Sequence, residues 1–302
     1  KNKKGEITMI KHVVCYQLHE RTENKKQEVK EMFMSMKNKI DVIINNIKGE
    51  VTTNNNKRIF IDVIDKQYKA LFFAKSPHPD LGSLRNILGD NFETDMIFSG
   101  EKLPDFKNYD IIFLHQIPHL GMENQAEFSK QLKENKEMPV FFIVGESTDF
   151  ETFNTIQSSI ELRKGAVNSI LDIKADYNNT FGIFNIDNEL IDAINIFPPL
   201  SLPHLEFTYK TNHDVMLHMN IKDVATQSPL MSFSSDENGR KNAFLFGTGI
   251  WRWKLYDFHN NNEYDNFEEL FSKSVKYLLT EKDKELIINH KDEYLNNETI
   301  IF

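Results

Sequence analysis

In the first 66 positions the apolar residues come in short runs, "EITMIKHVVCYQL", "KIDVIINNI" and "RIFIDVI", rich in Ile and Val and parted by Asn-rich turns such as "GEVTTNNNK". Such runs predict short strands, so residues 1–66 read as a small all-β module. One segment, "QEVKEMFMSMKNKI", fits two periods. Val29, Phe33, Met36 and Ile40 keep helical spacing, whereas Met32, Met34 and Met36 alternate; the strand reading is preferred.

From Tyr68 the pattern changes to apolar runs of four to six residues alternating with polar helical stretches, which predicts parallel strands buried by helices on both faces. "YKALFFA", "FETDMIF", "YDIIFLHQI" and "PVFFIVG" are the strands. Asp80 is placed to cap a helix over "LGSLRNIL", and a second helix is expected near 124–135. After "PVFFIVG", Ser147 or Thr148 is placed to cap a third helix, with Glu151 in capping-box range of Thr148. The stretch 160–230 is irregular, and "IFPPLSLPHLEF" carries too much proline for a helix or a central strand; a loop with a hairpin insertion is expected. "PLMSFSS", the turn "DENG" and "KNAFLFG" predict a hairpin ending the sheet. An amphipathic helix follows, carrying Phe267, Leu270, Phe271, Val275 and Leu278. The division is therefore 1–66, an α/β domain over 67–285, and an extended tail over 286–302 that reads as the start of a further β module.

Composition narrows the function classes. The 302 residues include 45 acidic and 36 basic side chains, a formal charge of −9, so nucleic acid is not an expected partner. The single cysteine, Cys15, excludes an internal disulfide and a cysteine-rich metal site but does not fix the compartment. No run approaches the roughly 18–20 apolar residues that span a bilayer, and the start "KNKKGEITMI" reads as that of a piece cut from a longer chain.

The order "SPHPDLGSLRNIL", "YDIIFLHQIP", "PVFFIVGE", "FLFGTGIWRWKLYDF" and a terminal helix resembles class I glutamine amidotransferase-like, flavodoxin-like domains of membrane-anchored bacterial envelope proteins. The likeness covers about residues 60–285. "GRKNAFLFGTGIW" is more distantly similar to the end of trehalose-utilisation-like domains, and "GEVTTNNNKRIFIDVID" looks like the last strands of the immunoglobulin-like modules that precede such domains. The resemblance implies an envelope, periplasmic location, with membrane contact only through segments outside this chain.

Active relatives in that family carry a cysteine at the turn after a central strand and a later His-x-Glu pair. Here the turn reads Gly145, Glu146, Ser147, Thr148, Asp149, and "GTGIWRW" stands where His-x-Glu would be. Residue type thus excludes glutaminase chemistry. Ser147 is a nucleophile candidate, although Asp149 occupies the second small position of a G-x-S-x-G elbow; His204 and His259 are its candidate bases. "FFAKSPHPDLGSL" also resembles the His-Pro-Asp-Asp motif of zinc-dependent sugar deacetylases, with His78 and Asp80 kept and Leu81 in place of the second acid. His78 and Asp80 are therefore metal candidates, with His115, His119 and His213–Asp214 as further donors to consider. His115 falls at the carboxyl end of its strand, the edge where open α/β sheets bind ligands.

Trp251, Arg252 and Trp253 carry two readings. In an extended segment the two indoles share one face as a stacking platform for carbohydrate or peptide. Alternatively the indoles cover the end of the sheet and Arg252 pairs with an acid such as Asp257. No phosphate-binding loop is present and no cofactor is expected. The leading expectation is a non-catalytic or degenerate amidotransferase-like domain that binds an unidentified protein or carbohydrate through His78, Asp80, His115, Trp251, Arg252 and Trp253. The alternative is a hydrolase on a sugar or amide, using a metal at His78, Asp80 and His115, or Ser147 with a histidine.

Overall fold

The computed structural model describes residues 67–166 and 169–280, together with the two-residue strands β1 (Lys11–His12) and β2 (Ile61–Asp62), which pair antiparallel. The chain divides into two compact units, residues 1–66 and 67–302. The remaining β-module strands, the segment 27–40, Cys15 and the tail 286–302 lie outside the described residues.

The second unit is an α/β fold around a nine-stranded sheet. Its parallel half comprises β3 (Tyr68–Ala74), β4 (Phe92–Phe98), β5 (Ile111–His115), β6 (Val140–Val144) and β13 (Lys241–Phe246). Numbered along the chain, these five strands take the flavodoxin-like order 2-1-3-4-5. Their apolar runs are what burial on two faces requires: every residue of β5 and β6 is buried. Neighbours on β6 point to opposite faces. Phe141 meets Phe271 of helix α6 (Asp265–Leu279), and Phe142 meets Phe153 of α3 (Phe150–Ile156). Helices therefore cover both faces, as the residue pattern predicts. The others are α1 (Pro79–Leu88), α2 (Gln125–Glu134), α4 (Asn188–Ile196) and α5 (Trp251–Asn261).

The region 160–230 differs from the expected loop and hairpin. It supplies β7 (Ile160–Lys164), β8 (Ile170–Tyr177), α4, β9 (Leu200–Pro203), β10 (Leu205–Tyr209), β11 (His213–Ile221) and the start of β12 (Val224–Ser235). β12, β11, β8 and β9 extend the sheet antiparallel, giving the full order β4-β3-β5-β6-β13-β12-β11-β8-β9, while β7 pairs with β10 in a separate ribbon. The proline-rich stretch is an edge strand, β9, where a missing N–H costs no ladder bond. The "PLMSFSS"–"KNAFLFG" hairpin forms as β12–β13, but β13 lies mid-sheet between β6 and β12 instead of ending it. The sheet ends at β9 because strands formed earlier in the chain add beyond β12.

Two helix starts also differ. His78 is the N-cap of α1, its Nδ1 accepting from the Asp80 N–H at 3.2 Å, and Asp80 lies inside the first turn. At α3 the N-cap is Asp149, with no side-chain cap bond; Thr148 Oγ1 instead accepts from Gly145 N–H and closes the preceding turn. Among the described residues no helix is long and apolar enough to cross a membrane.

Candidate functional site

The order of the parallel strands reverses between β3 and β5, and the edge beyond the carboxyl ends of the strands at such a switch point is where open α/β sheets bind ligands. His115 ends β5, while His78 and Asp80 follow β3 at the start of α1. The structure thus brings together three residues singled out in the sequence. The His78 and His115 rings lie 4.5 Å apart, and Asp80 Oδ2 is 3.3 Å from both His115 Nε2 and His78 Nδ1. Asp80 is fully buried, His115 nearly so, and the His78 side chain is 28% exposed.

Asp80 also accepts the backbone N–H of Gly249 at Oδ2 (2.9 Å) and of Trp251 at Oδ1 (3.1 Å). Burial alone raises its carboxyl pKa, but the adjoining His115 and His78 rings and the Gly249 N–H outweigh it and hold the group well below the usual carboxylate range. Gly249 presents its N–H from φ +109°, and a Cβ there would lie 2.5 Å from the Arg252 guanidinium.

The tryptophan segment departs from the extended platform. Trp251, Arg252 and Trp253 begin helix α5, so consecutive side chains diverge by about 100° and the indoles do not share a face. Trp253 is fully buried, stacks on Phe197 at 5.1 Å and donates Nε1–H to Pro198 O. Arg252 donates to Pro199 O at 2.6 Å. Asp257, its expected partner, instead accepts from Phe267 N–H, Asn266 and Asn261. Trp251 remains half-buried, its N–H held by Asp80.

Ser147 sits in the turn after β6. Its Oγ accepts from Lys75 Nζ at 3.0 Å, and its N–H donates to Gln116 Oε1 at 2.9 Å. Residue patterns did not reveal Lys75 or Gln116. Gln116 follows β5 with φ +55°, which few non-glycine residues adopt. Its side chain lies so close under the turn that a Cβ on Gly145 would fall 2.8 Å from Oε1. The remaining candidates lie elsewhere. His119 bonds Ser99 Oγ and Leu120 O, His213 bonds Ser159 O and Ser232 Oγ, His204 packs against Gly165, and His259 is in the last turn of α5. Among the described residues the potential metal-ligating group is His78, Asp80 and His115.

No protein-family model and no curated protein matches the chain. Solved structures do. A PurLQS structure from Thermotoga maritima aligns over 70% of this chain and 99% of its own at 12% identity and a TM-score of 0.42. A GMP synthase subunit from Thermoplasma acidophilum aligns over 70% and 98% at 10% identity and 0.36. The carbohydrate deacetylase Agd3 aligns over 67% of this chain and 32% of its own at 13% identity and 0.40.

Proposed function

We propose that residues 67–285 form a non-catalytic, amidotransferase-like binding domain whose ligand crevice lies at the β3–β5 switch point. The observation that carries this reading is the state of the turn after β6. Acyl transfer needs an activated nucleophile and free N–H donors for the oxyanion. Here the Thr148 N–H, the donor that follows the nucleophile position in such a turn, is bonded to Gly145 O and the Ser147 N–H to Gln116 Oε1, and the contact on the Ser147 Oγ is an exposed lysine rather than a histidine. Ser147 also lies outside the left-handed conformations found among the described residues, so the turn lacks that form of backbone strain at the nucleophile position.

The crevice presents a partly exposed imidazole, His78, with Trp251 beside the loop that Asp80 anchors. A protein or carbohydrate ligand suits such a mixed polar and aromatic rim, and the charge of −9 disfavours nucleic acid. The cell-envelope setting, with membrane contact through segments outside this chain, rests on the resemblance carried by "SPHPDLGSLRNIL", "PVFFIVGE" and "FLFGTGIWRWKLYDF". The purified chain, offered glutamine, activated esters and acetylated sugars, is expected to show no turnover above background. Turnover abolished by Ser147→Ala would overturn the reading.

A further inference from the structure

His78, Asp80 and His115 contribute donors of the kind and spacing a transition metal takes. Their ligand atoms all lie within 4.8 Å of one another, and two of the three separations are 3.3 Å. A tetrahedral ion with nitrogen and oxygen bonds near 2.0–2.1 Å holds its ligand atoms about 3.4 Å apart. Both contacts of the carboxylate meet at one oxygen: His78 Nδ1 and His115 Nε2 converge on Asp80 Oδ2, so the three donor atoms surround a common point.

We propose that His78, Asp80 and His115 form a binding site for a divalent transition-metal ion of the zinc class, located in the β3–β5 crevice. Two imidazoles and one carboxylate suit zinc, cobalt or nickel; calcium and magnesium prefer all-oxygen shells. The backbone N–H groups of Gly249 and Trp251 fix the carboxylate as outer-shell partners do in metal sites. The exposed part of His78 gives an entry path, and three protein ligands leave a fourth position for an oxygen of a bound ligand. Next to Asp80 stands Leu81, apolar and 1% exposed, so that position offers no carboxylate to act as base. The inference rests on reading this crevice as the binding site and specifies its chemistry as metal-mediated recognition of an oxygen donor.

The test is titration of the purified chain with zinc by calorimetry and with cobalt by visible absorption, for the wild type, His78→Ala and His115→Gln, each confirmed folded by circular dichroism. One equivalent of zinc is expected to bind, with tetrahedral-type cobalt bands. Each variant should bind at least about 100-fold more weakly, beyond the 10–100-fold that loss of an outer-shell partner costs. A flat wild-type titration, or tight binding kept by either variant, overturns the proposal. His78→Ala alters a partly exposed ring and keeps the test decisive if His115→Gln fails to fold. A flat titration would leave the inert Ser147 turn as it stands, whereas turnover through Ser147 would remove the non-catalytic reading and leave the metal result untouched.

Discussion

Asp80 bonds two backbone N–H groups 169 and 171 positions away, and it does so from a fully buried site. Replacing it with alanine leaves those donors without an acceptor, and such losses cost about 1–3 kcal/mol each when buried. Asp80→Ala is therefore expected to lower unfolding free energy by roughly 3 kcal/mol in urea. A change within about 0.5 kcal/mol, the range of ordinary surface substitutions, would show that the clamp does not hold the loop. His213 gives a second prediction at this scale. Burial lowers its pKa, against weaker opposing effects of the Ser159 carbonyl and the Asp214 charge. The folded state thus favours the neutral ring, while the unfolded chain takes up a proton as pH falls through about 6.5. The stability this contributes is complete above that pH and lost as pH falls toward the folded pKa. Urea midpoints from pH 7.5 to 5.5 should fall more steeply in the wild type than in His213→Gln; parallel slopes would refute the assignment.

Helix α5 shows why some elements were not visible in the residue pattern. Helix starts are read from a nearby Ser, Thr, Asp or Asn, but the N-cap here is Ile250, with no side-chain cap bond. The Trp251 N–H is satisfied by Asp80 instead, and at α6 the Phe267 N–H is satisfied by Asp257 of the preceding helix. No local window holds such signals, so "GTGIWRW" reads as extended until the fold is known. Single-tryptophan variants test the correction. With Trp251→Phe, the remaining Trp253 should emit to the blue and resist acrylamide; with Trp253→Phe, the remaining Trp251 should be quenched more readily. Equal quenching of the two indoles would return them to one exposed platform. Trp253→Ala is expected to cost about 3–5 kcal/mol, the usual range for a large aromatic removed from a core.

Across the whole α/β unit, the parallel half was legible because burial on both faces writes itself as the continuous apolar runs of "YKALFFA", "YDIIFLHQI" and "PVFFIVG". The antiparallel half was not. β8 and β11 mix buried, half-buried and exposed positions, and their pairing spans tens of residues that no local pattern records. The candidate site followed the same division. His78, Asp80 and His115 could be placed at one sheet edge from topology, but the distances among them and the role of Asp80 as an anchor arise only from contacts across about 170 residues of chain. Gln116 and Lys75, which occupy the N–H and Oγ of Ser147, carried no sequence signal at all. These two contacts bear the central claim that the turn after β6 does no acyl chemistry. The most direct measurement is intact-mass analysis after exposure of the folded chain to a fluorophosphonate probe. The wild type and Ser147→Ala should both keep their unmodified masses; a stoichiometric adduct on the wild type that is absent from Ser147→Ala would contradict the account.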